Sequence, residues 1–271
     1  MNSRHRYGIV VLACVLSSAP LSAQLEPPNE AGVTYGHIHL YVADTDAHVR
    51  LWSDLFEGIA TASGPTAAVW LPGTLMMFNQ RDAAEGSQGS VVDHIGFKVR
   101  DYDAFVARWR EAGLPVEREF EGGEGVRNAY LSAPDGVRVE IQEDRTLRSW
   151  AAAYHLHWYA PDAPSLRDFY VRWFGATARP RGPIENTADV PGMNLSFNAV
   201  LTERPGTRGR AVDHIGFEVV GLEALVEEME AAGIVFDIPY RVIEGLGIGL
   251  AFFTDPSGAF VELTEGLGSY R

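Results

Sequence analysis

Cysteine is almost absent, with Cys14 the only one in 271 residues. A single thiol excludes a disulfide framework. Basic side chains are scarce too: 22 Lys and Arg stand against 36 Asp and Glu, for a formal charge of −14. Such a chain is repelled by nucleic-acid phosphate and by anionic lipid, so neither is an expected partner. Gly at 28 and Pro at 15 are ordinary, which excludes a disordered or collagen-like chain. The 46% of hydrophobic residues suffices for a large core or two domains of ordinary size.

Long apolar runs are missing except at the start. Arg4 and Arg6 precede an almost unbroken apolar stretch from Ile9 to Leu21, which ends in Leu21-Ser22-Ala23 and gives way to Gln24-Leu25-Glu26. That layout predicts a secretory signal peptide over residues 1–23, too short for a membrane span. The expected location is periplasmic or secreted, with no membrane attachment after processing. Lipidation at Cys14 is the lesser alternative, because Val11-Leu12-Ala13-Cys14 loosely resembles a lipobox. A cut after Ala23 removes the only thiol, so the mature chain has no cysteine nucleophile.

An internal repeat organises the remainder. Val92-Asp93-His94-Ile95-Gly96-Phe97 recurs identically as Val212-Asp213-His214-Ile215-Gly216-Phe217. Tyr35-Gly36-His37-Ile38-His39 has a partner in Ala153-Tyr154-His155-Leu156-His157, and Leu71-Pro72-Gly73 in Val190-Pro191-Gly192. Near the end of each copy, Pro134-Asp135-Gly136 to Glu140 matches Pro256-Ser257-Gly258 to Glu262. A fixed period of roughly 120 residues means two copies of one domain. We place them at 33–144 and 151–266, joined near Gln142 to Ala152.

Each copy divides again. His37 to Val42 alternates in polarity with period two, which predicts a strand. Thr45 to Phe56 spaces Val49, Trp52, Leu55 and Phe56 as a helix, with Asp44 or Thr45 as its cap. Strand-like runs follow at Ala67 to Leu71 and Thr74 to Phe78. The order restarts at Asp93 to Val99, Asp101 to Ala112, Val126 to Leu131 and Val137 to Gln142. Four units of strand, helix and two or three strands result. None can bury both faces of its sheet alone, so the units should pair into curled sheets around a cup. Trp52, Trp109, Trp173 and Phe169 read as core. Gly245-Leu246-Gly247-Ile248-Gly249 has no helix signal after it and reads as a loop or bulge, a candidate lid over the second cup.

The histidines carry the functional signal. Of eight, His5 falls in the leader and His48 reads as the solvent side of a helix. The other six all lie on the first strand of a unit. Residues i and i+2 of a strand share a face, so His37 and His39 look into one space, as do His155 and His157. Glu140 and Glu262 stand in otherwise apolar closing strands, where an unpaired carboxylate is costly. Two imidazoles and one carboxylate from three strands make a facial triad with open positions, suited to Fe(II) or Mn(II), with Zn(II) and Ni(II) as alternatives. The competing reading has histidines bonded to backbone and the glutamates on a rim.

These features together resemble the vicinal oxygen chelate superfamily: the strand–helix–strands unit, a His seven residues before an Asp (His37 to Asp44, His94 to Asp101, His155 to Asp162), and Asp-Pro-x-Gly-x-x-x-Glu near the end. That group includes glyoxalase I, extradiol dioxygenases, methylmalonyl-CoA epimerase, and fosfomycin and bleomycin resistance proteins. The resemblance implies an α+β fold of four βαβββ modules paired into two domains, with a metal at each cup floor. It implies His37, His94 and Glu140 as ligands in the first domain, and His155, His214 and Glu262 in the second. Glyoxalase I adds a carboxylate from the closing strand of the first module. The matching positions here are near Met77 and Ser196, which leaves three ligands.

Extradiol enzymes place a Tyr and a His beside the metal. The Tyr position holds Tyr130 in the first domain and Phe252 in the second, and only His39 or His157 could supply the His. Tyr130, His39 and His157 are therefore the candidate catalytic residues, as proton donors or substrate contacts. The expected activity is that of a metal-dependent enzyme acting on a small molecule with adjacent oxygens, of the extradiol type at its sharpest. A glyoxalase-like lyase or isomerase and a metal-free binding or resistance protein are the alternatives. A homodimer is a further expectation.

Overall fold

The computed structural model describes residues 25–63 and 66–267. The expected leader and Cys14 lie outside them. Among the described residues, no helix is long and apolar enough to cross a membrane.

The four modules are all present. The first runs β1 (Val33–Val42), α1 (Thr45–Phe56), β2 (Ile59–Ser63), β3 (Thr66–Leu71) and β4 (Thr74–Gln80). The second runs β5 (Val92–Val99), α2 (Tyr102–Glu111), β6 (Val116–Glu121), β7 (Arg127–Ser132) and β8 (Arg138–Glu143). The third runs β9 (Ala151–Ala160), α3 (Ala163–Phe174), β10 (Thr177–Ala178), β11 (Thr187–Val190) and β12 (Met193–Ala199). The fourth runs β13 (Val212–Val219), α4 (Leu222–Ala231), β14 (Phe236–Ile243), β15 (Ile248–Thr254) and β16 (Phe260–Glu265). Three helices start at an aspartate whose carboxylate accepts a first-turn N–H, Asp44, Asp101 and Asp162. The glycine-rich segment is the turn between β14 and β15, with Gly245 and Gly247 at positive φ.

The modules do not pair by sequence half. Sheet I is ordered β14-β15-β16-β13-β1-β4-β3-β2, joining the first module to the fourth. Sheet II is ordered β10-β11-β12-β9-β5-β8-β7-β6, joining the second to the third. The cause is the short connection after β8, which returns the chain as β9 against the free edge of β5, antiparallel. The edge of β1 is then left for β13. The repeated Pro-Gly turns meet between the sheets, where the N–H of Tyr35 donates to Pro191 O and that of Ala153 to Pro72 O.

Aromatic side chains fill the space between the sheets in one continuous core. Phe56 packs on Phe97 and Phe105 of the second module at 4.8 and 5.0 Å between ring centroids. Phe174 of the third module packs on Phe217 of the fourth at 4.5 Å. Trp52, Trp109 and Trp173 are buried as expected, and Phe169 is partly buried against the same core. His48 corrects the reading of a solvent-facing residue. It lies one turn before Trp52 on the same helix face, is fully buried, and bonds Asp135 through Nε2 at 2.9 Å.

Candidate metal centres

Six strand histidines and two glutamates converge at two points. Centre I, on sheet I, holds His37, His39, His214 and Glu262; centre II, on sheet II, holds His94, Glu140, His155 and His157. In each, one ligand atom per residue lies within 4.8 Å of all the others. The grouping by sequence half expected from the resemblance is thereby corrected. His37 meets His214 and Glu262, and His155 meets His94 and Glu140, because β1 pairs with β13 and β5 with β9.

Four side chains, one more than the three expected as ligands, gather at each point. His39 and His157 are members of the clusters rather than neighbours of them. In centre I, Glu262 Oε2 lies 2.8 Å from His37 Nε2 and 3.0 Å from His214 Nε2, and His39 Nδ1 lies 2.8 Å from His214 Nε2. In centre II, Glu140 Oε2 lies 2.9 Å from His94 Nε2 and 3.2 Å from His155 Nε2, and His157 Nδ1 lies 3.2 Å from His94 Nε2. An octahedral ion with bonds of about 2.1 Å sets neighbouring donors about 3 Å apart, so these edges fit one. The imidazole nitrogens that meet at each point, His39 Nδ1 with His214 Nε2 at 2.8 Å and His157 Nδ1 with His94 Nε2 at 3.2 Å, are the donor type and spacing that a shared cation would bring together.

Further residues hold the ligands. Asp213 accepts from His214 Nδ1 at 2.6 Å and Asp93 from His94 Nδ1 at 2.9 Å, which fixes the tautomer that presents Nε2. Gly216 and Gly96 leave room for rings. A Cβ at either position would fall on the imidazole of His37 or His155, respectively. Neither the aspartates nor the glycines were singled out from the residues alone, although the identical hexapeptide in both copies contains all four.

Electrostatics suit ligation. Burial holds His39 and His157 well below the usual imidazole range, and burial with the charge of Arg181 takes His155 down to about 4, so these stay neutral. Burial would raise Glu140 and Glu262, but His155 and His37 respectively, with the other imidazoles, hold both below the carboxylate range. His214 and His94 differ: burial opposes their charge, yet Asp213 with Glu262, and Asp93 with Glu140, outweigh burial and raise His214 to about 9 and His94 above its ordinary range. A metal must displace those protons. Apparent metal affinity at centre I is expected to climb from pH 6 to 9, by up to about tenfold per unit, and level off above. Chelator competition across that range would read it, and a flat profile would contradict it.

The surroundings of the two centres differ. A cavity of about 770 Å³ opens on centre I, lined by His214, Phe252, Phe260 and Ile238, with Arg81 and Arg208 at its rim. At centre II, the Tyr130 ring lies 5.2 Å from that of His94, under the guanidinium of Arg138 at 3.9 Å. Burial, then Glu140, raise the Tyr130 phenol, so it keeps its proton at neutral pH.

A family model described as the Glyoxalase/Bleomycin resistance protein/Dioxygenase superfamily matches residues 34–141 and 153–263. Among curated proteins, none matches the sequence significantly. A glyoxalase I mutant from Zea mays is similar in structure, with TM-score 0.68 and 16% identity over 86% of this chain and 94% of that one. A provisionally assigned dioxygenase from Bacillus subtilis is similar at TM-score 0.65 and 12% identity, over 89% and 86%. The family match covers most of both repeats and agrees with the four paired modules, so this chain belongs to the glyoxalase, bleomycin resistance and dioxygenase superfamily.

Proposed function

We propose that the protein is an exported enzyme that uses a divalent metal to act on a small molecule bearing adjacent oxygens, as a lyase or isomerase. The observation that carries this reading is the pair of clusters of three imidazoles and one carboxylate, with donor atoms within 4.8 Å. A mixed nitrogen and oxygen set of this kind suits Fe(II) or Mn(II), and also Zn(II) or Ni(II). When bound, such an ion polarises chelating oxygens as a Lewis acid. His37, His39, His214 and Glu262, or His94, Glu140, His155 and His157, would hold the ion that supplies this activation to a chelating substrate. Export rests on the layout of residues 1–23.

The chain's own groups then have definite tasks. Phe252, Phe260 and Ile238 exclude water from the substrate beside centre I. Arg81 and Arg208 at the rim meet an anionic substituent. At centre II, Tyr130 Oη donates a proton or hydrogen bond.

A ring-cleaving oxygenase is the second reading, favoured by Tyr130 beside His94. It requires His157 to act as a substrate contact rather than a ligand. Assays of the metal-loaded protein separate the two. Turnover of a hemithioacetal or 2-oxo compound without O2 uptake, reduced about 1,000-fold or more in Glu262→Gln if centre I is the active one, supports the first. O2 uptake with catechols supports the second.

A further inference from the structure

The ligand sets of the two centres are alike, but the sheets around them are opposite in polarity. The comparison is residue by residue, because the two sheets share one register. Phe252 stands across from Glu262 as Tyr130 stands across from Glu140. Two residues before the glutamate, Phe260 occupies the place of Arg138.

The next rows follow suit. Leu75 beside His37 corresponds to Asn194 beside His155, and Met77 beside His39 to Ser196 beside His157. Leu250 corresponds to Asn128. Around centre I, Leu75 and Met77 join Ala68, Trp70, Ile248 and Leu267 in a separate apolar cluster. Around centre II, Arg181 is 5% exposed and donates to Ser196 Oγ at 3.1 Å and to Glu124 at 3.2 Å. Two amide oxygens there, Asn128 Oδ1 and Gln142 Oε1, are buried and unpartnered on side chains only 4% exposed.

A common ancestral repeat explains equal ligands, not inverted floors. The amide nitrogens of Asn128 and Gln142 donate to Glu140 and Glu124, respectively, but buried oxygens without partners are costly, so a polar floor is retained where something bonds to it. Asn128 and Gln142 offer acceptors for ligand hydroxyls. Beside the Tyr130 and Tyr159 rings, Arg138 and Arg204 both reach Asp93, at 2.8 and 3.0 Å, with their guanidiniums over those rings. Arg138 also donates Nε to Glu117 at 3.0 Å, so it is the N–H groups left over on the two guanidiniums that would recognise a ligand carboxylate. Centre I differs nearest the ligands, where Phe252, Phe260 and Ile238 make an apolar wall of an open cavity of about 770 Å³; its arginines, Arg81 and Arg208, line the same cavity, Arg208 over the Phe260 ring.

We propose that the two centres select chelating ligands of opposite polarity, centre I one with an aromatic or other apolar body and centre II a hydroxylated carboxylate. The proposal rests on the metal reading above and names the ligand class at each site. The test uses purified, Mn(II)-loaded protein whose metal content is counted first. The probes are 4-nitrocatechol, whose absorption shifts on chelation, and tartrate, followed by calorimetry. Phe260→Arg is expected to weaken 4-nitrocatechol at least about tenfold and leave tartrate within about twofold. Arg138→Phe is expected to do the converse. Phe260→Leu and Arg138→Lys guard against misfolding and should keep most of each affinity. Both probes binding both centres equally, or either exchange moving both probes or neither, would overturn the proposal while leaving the metal reading intact. Protein that takes up no metal would overturn both.

Discussion

Gly216→Ala should strip metal from centre I and leave centre II loaded. Position 216 lies on β13 beside His37, and the added methyl would occupy space that the His37 ring now fills. The ring cannot retreat, because His37 is 1% exposed and its neighbours are close-packed. Overpacking of this kind costs about 1–3 kcal/mol. Displacing a ligand costs far more in function, with a fall of about 100-fold or greater in metal affinity. Gly96→Ala is the mirror case, since it evicts His155 from centre II. Metal counts after gel filtration would read both. Retention of full metal by either variant would show that these histidines are not ligands.

Phe174→Ala is expected to destabilise the whole molecule by about 3–5 kcal/mol. Phe174 lies on α3, which covers sheet II, yet its ring packs on Phe217 and Phe253 of sheet I at 4.5 and 6.4 Å. The side chain is fully buried, so truncation leaves a cavity that both sheets would have to collapse to fill. For a chain of this size the Tm should fall by roughly 10 °C in a single transition. Two separate transitions, or a loss below about 1 kcal/mol, would mean that the sheets are independent bodies.

Much of this was legible from residues, and the limits have physical causes. The period-3.6 spacing of Trp52, Leu55 and Phe56 with Asp44 ahead of them located α1 at Thr45–Phe56. Alternation located β1 and brought His37 and His39 to one face. Pairing of modules was not legible. Backbone hydrogen bonds at a strand edge leave no mark in side chains, so nothing distinguished β5 from β13 as the neighbour of β1. That one ambiguity misassigned His37 to His94 and Glu140. His48 escaped because a lone histidine on a helix gives no sign of whether Asp135, distant in sequence, covers it. The polar strand β6, Val-Glu-Arg-Glu-Phe-Glu, is an exposed sheet edge and lacks the apolar alternation that marks its neighbours.

The fourth member of each cluster was legible only in part. His39 and His157 share a face with His37 and His155, but an i, i+2 pair on a strand can point both rings at one ion or one of them at solvent. Burial decides it here, at 9% exposure for His39 and 5% for His157.

Metal content of the purified protein tests the central claim most directly. Reconstitution with Mn(II) or Fe(II), removal of free ion and elemental analysis should return about two ions per chain, falling to about one in His214→Ala and about one in His94→Ala. Protein that retains no metal, or a fractional amount that neither substitution changes, would contradict the account.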